Sequence, residues 1–558
     1  MSSSPTRASS ARIWARERVR MIRAVESPRS RTLPQLLDEM ASRQPQREFI
    51  VGAETRLSYA ETRARVRRLA QGLYRLGVRR GEKVALLMNN RTEWLLVDFA
   101  VTLLGATLVP ISTWSRAREL AYVLNHCDAI TFITVDRFLG QDYLAMLAEI
   151  GAPGSDRLPQ LRRVVSVGEE RPAGMVPFED VWNMGADVSE ATLDACQHAV
   201  GPDDVAYILY TSGTTSTPKG VQLQHRGLIE NTWHIGERQH LGPGDRMWMG
   251  ISLFWSFGCL NALLAVMTHG GCIVLQEHFD AAAALALIER ERCTVYYGTP
   301  NIALALWEHP DRARRDLSSL RTGAAIGPAP AMQMVMGLGA REICNVYGLT
   351  ECYGNSHVTD ASDPVDVRLH TVGRPLPGME IRIVDRDTRR PLAVGEIGEI
   401  LIRGRLTPGY YKDPERNAAA FDPEGFFLTG DLGLVDHDGR LHFRGRIKEM
   451  VKTGGINVAP LEVEEILLGH ASVEQAHVIG LPDPRLEEIL VAVVVLKDGR
   501  DASPEELRGF CTQALAAFKV PRHFRIMKRA DLPVTATGKV QKFRLQEALS
   551  EELRGARS

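Results

Sequence analysis

Tyr210-Thr-Ser-Gly-Thr-Thr-Ser-Thr-Pro-Lys-Gly220 follows the apolar run Val205–Leu209. An apolar strand that opens into Ser and Thr hydroxyls, Gly and a Lys offers what a polyphosphate requires: close backbone approach, many O–H and N–H donors and one fixed positive charge. The loop is not of the Walker type, because Pro218 stands where GxxxxGK[ST] needs Gly before Lys219. Read alone, such a run is also an ordinary polar turn, so the decision falls to the rest of the chain.

Upstream, Ser58-Tyr-Ala-Glu61 is a capping box. Val66, Leu69, Ala70, Leu73 and Leu76 follow at helical spacing, Gly77 is a stop and Val84–Met88 is a buried strand. This alternation continues to about residue 350 and predicts α/β layers with largely parallel strands. Between Met379 and His442 the short strands Ile381–Val384, Glu399–Ile402 and Leu441–Phe443 alternate with Gly, Pro and Asp turns, the pattern of a twisted antiparallel sheet or small β-barrel-like subdomain. From Lys448 a helix at Glu462–Leu468 and strands at His477–Gly480 and Ile489–Leu496 read as a small mobile α+β C-terminal domain. The expected division is an extension at 1–32, a large α/β portion at 33–447 and a lid at 448–558.

A chain of 558 residues can bury several cores without staples. Apolar residues make up 44% and charged residues 24%, which excludes a disordered or collagen-like chain. Lys plus Arg number 67 against 68 acidic residues, so no polyanion is expected as main partner, nucleic acid included. That balance hides a +6 segment, because residues 1–31 hold eight Arg and two Glu. Trp14, Val19, Ile22 and Val25 could form one face of a basic amphipathic helix there. Of the 67 basic residues 57 are Arg, a usage typical of a GC-rich bacterial genome. The eight Cys form no CxxC, so neither zinc nor a disulfide framework is indicated, and a reducing cytoplasm fits. Trp94–Pro110, broken by Asp98 and Thr102, is too short for a membrane span and reads as a buried helix.

Four further stretches carry polar chemistry. They are Tyr347-Gly-Leu-Thr-Glu351, Phe427-Leu-Thr-Gly-Asp431, the run Gly445-Arg-Ile-Lys-Glu-Met-Val-Lys-Thr-Gly-Gly-Ile-Asn-Val-Ala-Pro460, and Pro533-Val-Thr-Ala-Thr-Gly-Lys-Val-Gln-Lys542. Singly, the first is a core Tyr with a capping Thr-Glu, the second a turn Asp after Gly, and the last a solvated Lys. Together with the phosphate loop, in this order over residues 33–548, they resemble the acyl-adenylate-forming superfamily (AMP-dependent synthetases and ligases), and among them the acyl-CoA synthetases.

The resemblance implies ATP, Mg2+ and coenzyme A as cofactors, and an ATP-dependent ligase that makes acyl-AMP, releases pyrophosphate, then passes the acyl group to CoA with loss of AMP. Thr211, Ser212, Gly213, Thr214, Thr215 and Lys219 would hold phosphates. Ala324, Tyr347, Gly348, Thr350, Asp431 and Arg446 would hold the rest of the nucleotide, with Tyr347 on adenine and Asp431 on the ribose hydroxyls. Thr214 and Glu351 would face the metal. Lys539, Thr211, Lys219 and Glu351 would be catalytic, Lys448 the hinge between domains, and Lys452, Gly454 and Gly455 the CoA passage. Most members of the family have Gly where this chain has Ser216, and Ser also occurs there.

By family position the acyl pocket would draw on Trp233, Phe254, Trp255, Tyr297, Thr299, Ile302, Ala325, Ile326 and Leu349. That lining is apolar and offers no charged partner for an amino group or second carboxylate. Trp255, where many relatives have His, would shorten the pocket toward medium-chain, alicyclic or aromatic acids. The chain ends about twenty residues past Lys539, which favours CoA over a fused carrier domain. A separate carrier protein as thiol acceptor, a homodimer and a non-catalytic nucleotide-binding relative stay open.

Overall fold

A computed structural model describes residues 31–170, 173–211, 218–453, 456–483, 485–534 and 540–555. The basic extension up to residue 30, Ser212, Gly213, Thr214, Thr215, Ser216, Gly454, Gly455 and Lys539 lie outside them.

The capping box forms as read. Ser58 Oγ accepts from Glu61 N at 3.2 Å and Glu61 Oε2 accepts from Ser58 N at 2.8 Å. The helix Tyr59–Leu76 buries Val66, Leu69, Ala70 and Leu73 and stops at Gly77, whose φ of +103° suits glycine. The strand Lys83–Leu87 that follows joins a seven-stranded sheet in which only Lys219–Gln224 runs antiparallel to its neighbour. A nine-stranded sheet contains Arg246–Met249, Cys272–Leu275, Val295–Gly298, Thr322–Ala325 and Cys344–Tyr347 in parallel.

Trp94–Pro110 is a buried helix, Thr92–Leu103, running into a buried strand, Thr107–Ile111. Its Asp98 is fully buried, Oδ2 accepting from Tyr207 OH at 2.7 Å, and burial pushes its carboxyl up to about 7. No helix among the described residues is long and apolar enough to cross a membrane. All eight cysteines are unpaired and seven are buried.

Residues 380–446 form a four-stranded antiparallel sheet, Glu380–Val384, Gly398–Arg403, Phe427–Val435 and Leu441–Arg446 in that order. Of the two forms the texture predicts, the open sheet is the one found. From Val451 onward the chain builds a further sheet around the long antiparallel pair Val473–Asp483 and Glu487–Leu496, with the helix Pro460–Leu468 against it. Its two apolar clusters draw only on residues from 451 on. Arg529 links this unit to the larger one, 2.6 Å from Glu474 and 3.2 Å from Glu308.

Candidate active site

The phosphate-loop stems are fixed by the hairpin register, Tyr210 opposite Gly220 and Thr211 opposite Lys219. Parallel strands end in the same region at Ala325 and Tyr347, so the candidate residues gather at the carboxyl ends of strands, where open α/β sheets hold ligands. Lys219 Nζ lies 2.5 Å from Glu351 Oε1. That contact joins the seven-stranded sheet to the one-turn helix Thr350–Cys352, which follows the strand Cys344–Tyr347 of the nine-stranded sheet. A second contact brings in the third sheet, with Tyr347 OH donating to Asp431 Oδ2 at 2.8 Å. Three sheets thus meet around residues more than 200 positions apart in sequence.

Among the described residues, two polar atoms in this junction are buried without a hydrogen bond, Thr211 Oγ1 and Asp431 Oδ1. Such atoms are costly unless something else completes them. Asp431 stands directly opposite Arg446 in the sheet, with Oδ1 3.3 Å from Arg446 Nε. Burial raises the Asp431 carboxyl above its usual range, against the pull of Arg446 and of Tyr347. The ring of Tyr347 packs on Phe443 at 5.6 Å and His357 at 6.0 Å. At Gly348 a Cβ would lie 2.1 Å from Gly354 O, so the turn into Glu351 admits only glycine there. Thr350 Oγ1 donates to Ser256 Oγ at 3.2 Å, and Ala324 is fully buried in its strand.

Among the pocket residues, Phe254 and Trp255 come together edge to face at 5.6 Å, and Trp114 closes the group at 5.1 and 4.9 Å. Trp255 caps a π-helix, Ser256–Leu264, a wide turn often found at functional sites. Tyr297 is fully buried, its OH donating to Asn261 O at 2.9 Å, with Phe257 at 5.2 Å from its ring. Ile302 and Ala325 are buried, Leu349 is half-buried, and Thr299 is bonded to Asn301. Trp233 stacks instead on His269 at 6.1 Å, and Ile326 is 42% exposed, so neither belongs to the aromatic group.

Motif reading missed several residues. Tyr122 OH donates to Pro218 O at 3.0 Å and His126 Nδ1 lies 2.6 Å from Tyr210 OH, so one helix, Ala117–His126, grips both stems of the phosphate loop. Burial lowers the His126 pKa and raises that of Tyr210, which keeps the pair uncharged. Tyr410 OH reaches Glu351 Oε1 at 2.8 Å. The aromatic character of Trp114 was the only available signal, because none of these positions sits in a motif.

In the last unit, Lys448 lies in a one-turn 3-10 helix, Ile447–Glu449, and Lys452 pairs with Glu487 at 2.9 Å. Val534 and Val540, which flank the undescribed residues 535–539, face each other in a β-bridge. Residues 37–411 match the family model described as AMP-binding enzyme, and residues 462–539 match AMP-binding enzyme C-terminal domain.

The chain belongs to the AMP-binding enzyme family.

Relatives of this enzyme are acyl-CoA synthetases by name. A putative acyl-CoA synthetase of Bacillus subtilis (strain 168) is 36% identical over 93% of this chain and 97% of its own. A 3-[(3aS,4S,7aS)-7a-methyl-1,5-dioxo-octahydro-1H-inden-4-yl]propanoyl:CoA ligase of Rhodococcus jostii (strain RHA1) is 34% identical over 92% and 98%. A mitochondrial medium-chain acyl-CoA ligase of Homo sapiens is 31% identical over 94% and 88%. Among solved structures, an anthranilate CoA ligase in complex with anthranoyl-AMP superposes with a TM-score of 0.84 at 28% identity, covering 95% of this chain and 99% of that one. The enzyme is of the acyl-CoA synthetase type within its family.

Proposed function

We propose that this AMP-forming acid–CoA ligase acts on an apolar medium-chain, alicyclic or aromatic acid, through acyl-AMP, with release of AMP and pyrophosphate. The observation that carries the reading is the three-sheet junction. It brings Lys219, Glu351, Tyr347 and Asp431 together and, among the described residues, leaves Thr211 Oγ1 buried without a hydrogen bond and Asp431 Oδ1 buried with only the Arg446 guanidinium beside it.

In the first half-reaction an acid carboxylate oxygen forms a bond to the α-phosphorus of ATP and the bond to pyrophosphate breaks. Two anions must be brought together, so catalysis comes from positioning and fixed charge. Lys219 and the loop after Thr211 neutralise phosphates, Asp431 Oδ1 and Arg446 hold ribose, and Lys539 stabilises charge at the α-phosphate. In the second half-reaction a thiol attacks the acyl carbonyl, loses its proton, and AMP leaves.

No group of three or more His, Cys, Asp or Glu side chains gathers as a metal site among the described residues. A magnesium that takes one carboxylate and completes its shell with phosphate oxygens and water needs none. The Glu351 carboxylate, buried beside the phosphate loop, suits it, and Thr214 is the second protein ligand in our reading. Bound there, the ion would neutralise phosphate charge.

Lys448 is the hinge and residues 448–558 the lid; the separate apolar clusters from 451 on support this division. Lys452, Gly454 and Gly455 lead CoA to the acyl group. The cytoplasm is the compartment that eight unpaired cysteines favour.

The acid class rests on the Trp114, Phe254 and Trp255 cluster; as part of the acyl pocket it would fill space a long straight chain needs. A hydroxamate screen of carboxylic acids with ATP and magnesium, repeated with CoA, tests the reading. The best kcat/KM should fall on medium-chain, alicyclic or aromatic acids, and a maximum at sixteen or more carbons would reject it. Trp255→Ala should move the optimum to longer acids, with about 1 kcal/mol gained for each extra methylene accommodated. An unmoved chain-length profile would remove Trp255 from the pocket.

A further inference from the structure

Lys219 and Glu351 already neutralise each other. A lysine drawn to phosphates would leave behind, until a cation reaches it, a carboxylate whose side chain is 4% exposed, and a buried carboxylate stripped of its partner is strongly unfavourable. Glu351 Oε1, however, has a second donor, Tyr410 OH at 2.8 Å, and Lys219 Nζ itself lies 3.0 Å from that hydroxyl and 4.6 Å from the centre of the Tyr410 ring.

Tyr410 cannot readily follow the lysine. Its backbone N donates to Asn417 Oδ1 at 2.6 Å, its carbonyl accepts from Asn417 Nδ2 at 2.9 Å, and it forms a β-bridge with Val221. The next residue, Tyr411, donates from N to Gly220 O at 2.8 Å, and Thr407 N donates to Glu351 O at 2.7 Å. The strap Thr407–Tyr411 is thus stitched both to the strand leaving the phosphate loop and to the turn that carries Glu351.

We propose that the Tyr410 hydroxyl is a positioning group for adenylation: it keeps the Glu351 carboxylate paired and aimed while Lys219 transfers from Glu351 to the ATP phosphates. The inference rests on the ligase reading. Tyr410→Phe removes the hydroxyl and keeps the ring over Lys219, so the strap should survive.

The test uses the full-length enzyme in four measurements: ATP binding by titration calorimetry with and without magnesium, pyrophosphate exchange, conversion of synthetic acyl-AMP to thioester, and thermal melting. In Tyr410→Phe, exchange kcat should fall about tenfold or more, the effect of one hydrogen bond to a charged group. The gain in ATP affinity from magnesium should shrink by a similar factor. The KM for the acid, thioester formation from acyl-AMP and the melting midpoint should stay at wild-type values. A variant equal to wild type in exchange and in the magnesium gain would overturn the proposal. So would equal loss of both half-reactions with a lowered melting midpoint, since that is a structural role. Wild-type enzyme forming no acyl-AMP from any acid defeats the ligase reading instead, and the calorimetric comparison then still decides for or against Tyr410.

Discussion

Lys539→Ala should slow adenylation by two to three decades yet leave conversion of supplied acyl-AMP to thioester near the wild-type rate. The first half-reaction concentrates negative charge on the α-phosphoryl group, and one preorganised charge aimed there is worth about 3–4 kcal/mol. The second half-reaction disperses that charge onto a departing AMP and needs a thiol in place. The described residues on either side of Lys539 are held together by the Val534 and Val540 bridge and by Gln541 N donating to Pro533 O at 2.7 Å, contacts that do not involve the Lys539 side chain. Rapid-quench measurement of each half-reaction separately is the check. Comparable loss in both would mean that Lys539 holds the nucleotide in general, not the adenylation transition state.

Lys448→Pro should give the opposite split, with pyrophosphate exchange kept and thioester formation slowed on the order of a hundredfold, the cost of misplacing reacting groups. Position 448 lies in a one-turn 3-10 helix directly after Arg446, which faces Asp431, and shortly before the strand Val451–Thr453 of the last unit. Proline there fixes φ near −65° and restricts the residue before it, so a reorientation about this position is blocked while the starting arrangement is retained. Exchange and thioester rates falling together would contradict a hinge at this position.

Local chemistry in the sequence was enough for the elements. Ser58 and Glu61 form the predicted box, Gly77 ends the helix, and Glu462–Leu468 is helical within Pro460–Leu468. What spacing along the chain could not supply was the meeting of elements. Lys219 and Glu351 are 132 residues apart, and their pairing depends on two sheets docking edge to end. Tyr410 and Tyr122 act through single hydroxyls fixed by tertiary packing, so no periodicity marks them. Phe427–Val435 is a strand although Thr429-Gly-Asp431 reads as a turn; Gly430, at φ +70°, sits in the irregularity where the register with Gly398–Arg403 shifts between Leu428 and Leu432, and pairing continues on both sides of it. The π-helix after Trp255 is set by hydrogen-bond register, which side-chain patterning does not encode. Trp233 is a reminder that an aromatic residue near a pocket in sequence can spend its face elsewhere, here on His269.

The central claim is that one site performs two separable reactions, the first complete before any thiol arrives. Mixing the enzyme with ATP, magnesium and the best acid from the screen, without CoA, and quantifying bound acyl-AMP and pyrophosphate in a single turnover tests it most directly. Acyl-AMP and pyrophosphate should appear in equal amounts up to one per active site, with the acyl-AMP consumed on addition of CoA. Pyrophosphate release that waits for CoA would contradict it.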